Sequence, residues 1–136
     1  MNTKITVSAI INEEIKKVWD FYTHPNHIIK WNFADPSCHC PKASNDMKVG
    51  GKYFARMEAK DGSFGFDFEA IYDEIEIGKS FVYSFGDRKA KVKFNDLGNT
   101  TEIVIEFDAE NENPVEMQKI GWQMILNNFK NYTETN

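Results

Sequence analysis

Three histidines and two cysteines, His24, His27, Cys38, His39 and Cys40, all fall between residues 24 and 40. Imidazole and thiolate are the ligands a soft metal such as zinc takes, so this cluster is the first candidate for a metal centre. The spacing speaks against one. Cys38 and Cys40 are separated by a single residue, short of the gap of roughly two to four that lets two thiolates wrap one ion, and His24-x-x-His27 straddles a helix start. No metal and no cofactor are expected. The two cysteines stand too close for a disulfide staple and are expected as reduced thiols. A catalytic thiol would need a base oriented by a third group. Cys40 with His27 or His39 is the conceivable pair, but nothing local activates it, and no catalytic residue is assigned. Asp67, Glu69, Asp73, Glu74 and Glu76 form an acidic stretch with the side chains for acid–base work or a hard cation. Strand alternation puts Asp67 and Glu69 on an outer face, where solvated carboxylates also discourage edge association.

The elements that carry these side chains follow from periodicity. Ile5, Val7, Ala9 and Ile11 alternate with Lys4, Thr6 and Ser8, which predicts a half-buried strand. Asn12 is placed to cap a helix with Glu13 and Glu14 in its first turn and Ile15, Val18, Trp19 and Tyr22 along its apolar stripe. Pro25 suits the first turn of a second short helix that closes with Ile28, Ile29 and Trp31. From Asn32 to Lys48 neither period is present, and Pro36, Pro41, Ser37, Ser44 and Asn45 predict one long loop.

After Gly50-Gly51 the chain reads as hairpins: a strand over Tyr53 to Ala59, a turn at Asp61-Gly62, and a longer strand from Phe64 to Ile75. Gly78-Lys79 turns into Phe81 to Phe85, and Gly86-Asp87 leads to a strand through Ala90, Val92 and Phe94. A turn over Asn95 to Asn99 precedes Thr101, Ile103, Ile105 and Phe107. Asn113-Pro114 starts a final helix with apolar positions Met117, Ile120, Met124, Ile125, Phe129 and Tyr132. Roughly nineteen residues at 1.5 Å each give about 28 Å, enough to cross a sheet. Strand, two short helices, a five-strand meander and a long helix make an α+β domain with six strands, one domain over 1–136. Phe64, Phe66 and Phe68 alternate with Gly65, Asp67 and Glu69, and with Tyr83 and Phe85 they give the sheet an aromatic face that the helices must cover.

At 136 residues, 41% apolar and 14% aromatic, the chain has a globular composition. A net charge of −5 with no cluster of Lys and Arg argues against a nucleic-acid partner. The N-terminus, Met1-Asn2-Thr3-Lys4, passes straight into a strand pattern, and no apolar run approaches about 18 residues. The reading is cytoplasmic, without membrane insertion.

The segment Val18-Trp19-Asp20-Phe21-Tyr22-Thr23-His24-Pro25-Asn26-His27-Ile28-Ile29-Lys30-Trp31 resembles the opening helices of proteins similar to the activator of Hsp90 ATPase. Gly50-Gly51-Lys52-Tyr53, Tyr72-Asp73-Glu74-Ile75 with Phe81-Val82-Tyr83-Ser84, and Gly121-Trp122-Gln123 with Leu126 and Tyr132 follow in the order of that family's signatures. The resemblance implies the helix-grip fold of START lipid-transfer domains, polyketide cyclases and the birch-pollen allergen group: a curved antiparallel sheet wrapped around the C-terminal helix, with a cavity between them. The chain departs from the family at Ala70 and Ile77, where Gly and Pro are usual. It departs again at His24, where Asp commonly precedes the proline, and this predicts a weaker helix cap.

With that cavity implied, Trp31, Phe33, Tyr53, Phe66, Phe68, Tyr83, Phe85 and Trp122 are expected to converge on it, and Met57 and Met124 to add adaptable wall. The tyrosines and Trp122 supply polar handles. Arg56 and Lys52 are expected to point outward. The function this implies is binding of a small hydrophobic or amphipathic molecule, with no covalent chemistry evident. One rival is a polyketide cyclase-like enzyme using a buried Tyr53 or Tyr83 as proton donor. Another is an interaction protein that stimulates a chaperone ATPase. Chaperone contact is not expected, because eukaryotic activators carry a further N-terminal domain; homodimer formation stays open.

Overall fold

The computed structural model describes residues 3–136. The domain read over 1–136, and the reading of the N-terminus, begin on Met1 and Asn2, which lie outside the described residues. The chain runs β1 (Lys4–Ile11), α1 (Ile15–Thr23), α2 (Pro25–Trp31), β2 (Cys38–Asn45), β3 (Lys52–Ala59), β4 (Gly65–Glu76), β5 (Ser80–Phe85), β6 (Arg88–Asp96), β7 (Thr101–Asp108) and α3 (Val115–Thr135). All seven strands form one antiparallel sheet in the order β1-β7-β6-β5-β4-β3-β2. The sheet curls into a half-barrel, and α3 lies along it against β1 and α2. This is the expected α+β helix-grip arrangement with two short helices after the first strand.

Among the described residues the sheet has seven strands, not six. The extra one, β2, occupies the stretch expected as a loop, and it is the far edge of the sheet. Its register with β3 runs from Cys38 opposite Ala59 and His39 opposite Glu58, then shifts before Lys42 opposite Arg56. The irregularity falls on Cys40 and Pro41. A proline has no N–H for a ladder, so it is tolerated here because the strand is an edge and bulged. The bulge also breaks the alternation that would have revealed the strand.

Helix starts differ in detail as well. Glu14, not Asn12, is the N-cap of α1, and it makes no side-chain cap bond. The Asn12 backbone N–H instead donates to the Glu134 carboxylate at 2.8 Å, tying the helix entry to the end of α3. His24 proves a competent cap: its Nδ1 accepts from the Asn26 N–H at 3.1 Å at the start of α2.

The core fills the space between the concave sheet face and the helices. Tyr22 of α1 meets Trp31, Phe94 and Phe129 with ring centroids 4.8 to 5.4 Å apart. Val18, Ile28, Phe81, Phe107 and Leu126 are buried beside them. Asn128 donates to the carbonyl oxygens of Trp31 and Phe33, and Lys130 to that of Ile10, which fixes the second half of α3 onto α2 and β1. Thr133, on the same helix, is fully buried and its hydroxyl has no hydrogen-bond partner among the described residues. An unpaired buried hydroxyl costs stability that a methyl of the same shape does not. Thr133→Val is therefore expected to raise the unfolding free energy by about 1 kcal/mol in urea titration.

Candidate functional site

A pocket of about 510 Å³ opens between the concave sheet face, the end of α2 and the first half of α3. Its walls are built by strand alternation. Tyr53 and Met57 project from β3, Phe66 and Phe68 from β4, and Tyr83 and Phe85 from β5. Large rings face small residues across the ladders: Tyr53 stands opposite Ala70, Phe68 opposite Ala55, and Tyr83 opposite Ala90. Each alanine leaves its neighbour's ring room to lean inward. The rings of Tyr53, Phe68 and Tyr83 meet at 5.6 to 5.9 Å, mostly edge to face.

Nine of the ten residues expected to line a cavity, Trp31, Phe33, Tyr53, Met57, Phe66, Phe68, Tyr83, Phe85 and Trp122, border this pocket. Met124 does not; it stands partly exposed on the outer side of α3. The reason is helical phase, since a residue two positions from Trp122 points to nearly the opposite side. Trp122, Ile125, Leu126 and Phe129 form the inward stripe, whereas Met117, Ile120 and Met124 form a second apolar stripe whose members are all exposed. Met117 still reaches the pocket mouth.

The mouth and base differ in character. Phe64 and Phe66 are 56% and 48% exposed, whereas Tyr53, Tyr83 and Trp31 at the base are buried. Trp122 stacks flat on Phe107, centroids 3.8 Å apart, which fixes one wall. At the base the buried Asn32 amide donates to the Tyr53 hydroxyl at 3.1 Å. Used as acceptor, that hydroxyl keeps its own proton for another partner. Tyr83 has no hydrogen-bond partner among the described residues. Burial pushes both phenols well above their ordinary range, with neighbouring tyrosines adding to the effect.

Sequence reasoning did not assign Tyr22, Asn32, Arg88, Gln118, Gly121 or Ile125 to the pocket, yet all border it. Tyr22 and Ile125 were legible only as core stripe positions, and Asn32 only as the start of a loop. Gly121, inside a helix where glycine is unfavourable, was the one open signal. An added Cβ there would meet nothing within 4 Å.

The histidines and cysteines serve separate local roles. His27 stacks on Phe21 at 3.8 Å and shares a 2.7 Å hydrogen bond with the Tyr132 hydroxyl, joining α1, α2 and α3. Burial lowers its pKa against the opposing pull of Asp20. His39 pairs with Glu58 at 3.1 Å across β2 and β3. Cys38 borders the pocket, and the buried Cys40 thiol is pushed up to about 11 by desolvation. No group of three or more metal-ligating side chains stands together among the described residues. Four of the five residues of the acidic stretch stand in ion pairs: Asp67 with Arg56 at 3.2 Å, Glu69 with Lys52 at 3.7 Å, Asp73 with Lys89 at 3.3 Å and Glu76 with Lys79 at 3.5 Å. No helix among the described residues is long and apolar enough to cross a membrane.

Comparison with known proteins agrees with this geometry. The solution structure of the AHSA1-like protein from Aeromonas hydrophila is 36% identical, with a TM-score of 0.91 over 98% of this chain and 93% of that one. A solution structure from Cytophaga hutchinsonii is 48% identical, with a TM-score of 0.83 over the same shares. A crystal structure from Chromobacterium violaceum shares the fold, with a TM-score of 0.85 at 20% identity over 98% of both chains. A search of curated proteins finds no match. The family model described as activator of Hsp90 ATPase homolog 1-like protein matches residues 12–134, and the chain belongs to that family.

Proposed function

We propose that this protein binds a small hydrophobic or amphipathic molecule in the pocket between the sheet and α3. The observation that carries the reading is the pocket itself: about 510 Å³, walled by aromatic side chains, with a few polar groups at its base. That volume lies inside the range of small-molecule sites, and so does the pairing of apolar walls with sparse polar groups that fix orientation. Water released from such walls drives uptake. The Tyr53 hydroxyl, held by Asn32 with its proton unassigned, and the unpartnered Tyr83 hydroxyl are suited to orient a ligand oxygen. Burial keeps both phenols protonated, so each has a proton to offer a ligand oxygen as a hydrogen bond.

Gly121 offers the test. Gly121→Ala is expected to stabilise the fold by about 0.8 kcal/mol, because alanine is the better helix former and its methyl enters open space. Gly121→Leu places a branched side chain in the pocket. It is expected to weaken binding of a neutral probe such as dodecanol by about tenfold or more, read from ligand-induced chemical shifts at Tyr83 and Trp122. Wild-type binding that survives Gly121→Leu unchanged, or a wild-type protein in which dodecanol moves neither residue, would sink the proposal. Native mass spectrometry of the purified protein would then identify any co-purified occupant.

A further inference from the structure

We infer that the occupant is an anionic amphiphile, and that Arg88 at the pocket wall receives its carboxylate. The inference rests on the binding reading above and names the class of molecule. Arg88 opens β6 directly opposite Phe85, across the two-residue turn Gly86-Asp87. Gly86 takes a φ of 67° at the first turn position, the conformation such a tight hairpin needs. The turn therefore fixes where the arginine leaves the sheet.

Two contacts then fix the guanidinium. Its Nε donates to the Asp108 carbonyl oxygen at 3.0 Å, and its central carbon lies 4.9 Å from the Phe85 ring centroid. Phe85 in turn packs against Phe68 and Trp122, both pocket residues. Neither contact uses the two Nη groups. Among the described residues these have no carboxylate within ion-pairing distance, while Arg88 borders the pocket. A guanidinium stacked on a ring, with one edge satisfied and the other open, is preorganised for a carboxylate.

The other charged groups at the pocket do not fill that role. Glu58 is neutralised on the spot: Arg56 Nε lies 2.9 Å from one of its oxygens and His39 Nε2 lies 3.1 Å from the other. Glu110 accepts from the Asn113 amide, and its backbone N–H is bound by Gln118. Arg88 is the one cationic side chain bordering the pocket among the described residues. Glu110 is a carboxylate at the same pocket, and it should oppose an anion.

The experiment compares dodecanoate with dodecanol, which share a chain and differ in headgroup, by calorimetry below micellar concentrations and at low salt. The wild type is expected to bind dodecanoate about tenfold more tightly, a difference of about 1.4 kcal/mol. That preference should shrink as salt rises. Arg88→Gln should bring the acid-to-alcohol affinity ratio close to one, and Glu110→Gln should enlarge it. The wild-type comparison and its salt dependence need no variant, so they decide the matter even if Arg88→Gln folds poorly. Dodecanol binding as tightly as dodecanoate, or a ratio unmoved by Arg88→Gln, would overturn the anion assignment and leave apolar binding standing. Binding of neither molecule would overturn both.

Discussion

Trp31→Ala is expected to lower the unfolding free energy by about 4 kcal/mol, enough to threaten folding of a domain whose total stability is about 10 kcal/mol. Trp31 is only 2% exposed. Its ring sits 4.8 Å from that of Tyr22 and 5.0 Å from that of Phe129, so it joins α1, α2 and α3 at one point. Its indole N–H donates to the Phe21 carbonyl at 2.9 Å, and its own carbonyl accepts from Asn128. Removing the ring opens a void next to an existing pocket and leaves the Phe21 carbonyl without its donor. Chemical denaturation should show the fall directly. A variant within 1 kcal/mol of wild type would mean that α2 is held by something other than this ring. Trp31→Phe keeps most of the packing and should recover about half the loss.

Gly51→Ala should be nearly as damaging, at about 3 kcal/mol, although it adds only one methyl group. A Cβ at Gly51 would lie 2.1 Å from the Asp46 carbonyl oxygen and 2.9 Å from that of Lys48. Both obstacles are backbone atoms, and the turn that holds them is tightly bonded. Gly51 N–H donates to the Lys48 carbonyl at 2.8 Å, Lys48 N–H to the Asp46 carbonyl at 2.8 Å, and Asp46 N–H to the Lys52 carbonyl at 3.0 Å. On the other side Gly50 and Gly51 exchange hydrogen bonds with Tyr72 of β4. The methyl enters only if the β2–β3 connection is remade. Gly62→Ala is the useful contrast. Gly62 has a positive φ but open space around it, so only the backbone conformation is penalised, at about 1 kcal/mol. Equal melting temperatures for the two variants would show that the turn at Gly51 yields more readily than its hydrogen bonds suggest.

Much of this fold could be read from residue order because its strands mostly keep one face in the core. β1 and β7 alternate, and the inward face of each is apolar apart from Thr101, with Asp108 at the end of β7 buried out of phase. β2 was invisible for the opposite reason. It is an edge with a bulge at Cys40-Pro41, most of its side chains reach solvent, and its pairing with β3 is a tertiary fact that leaves no period behind. The pocket was partly legible. Aromatic alternation on β4 and β5 marked an aromatic sheet face and the family resemblance implied the cavity beside it, but α3 carries apolar residues on two sides, and composition does not say which side faces inward. That is why Met124 was misplaced and Ile125 missed. Polar members such as Asn32 and Arg88 acquire meaning only from what lies beside them, a buried phenol in one case and a ring in the other. No periodicity encodes either contact.

The two ends of α3 are held very differently. Its last turns bury Leu126, Phe129 and Thr133 and are tied to α2 and β1. Its first turns carry the exposed Val115, Met117 and Ile120 and wall the pocket. Among the described residues only Gln118 anchors the first turns, through its bonds to the Glu110 and Asn113 backbone, so opening free energy is expected to be lower there than at the apolar C-terminal end. On the binding reading proposed above, an occupant leaving on this side would wait for the first turns to fray, not for the domain to unfold. Residence time thus becomes separable from affinity. Substitutions on the solvent side of those turns can hasten or slow release while every group that touches the occupant stays the same.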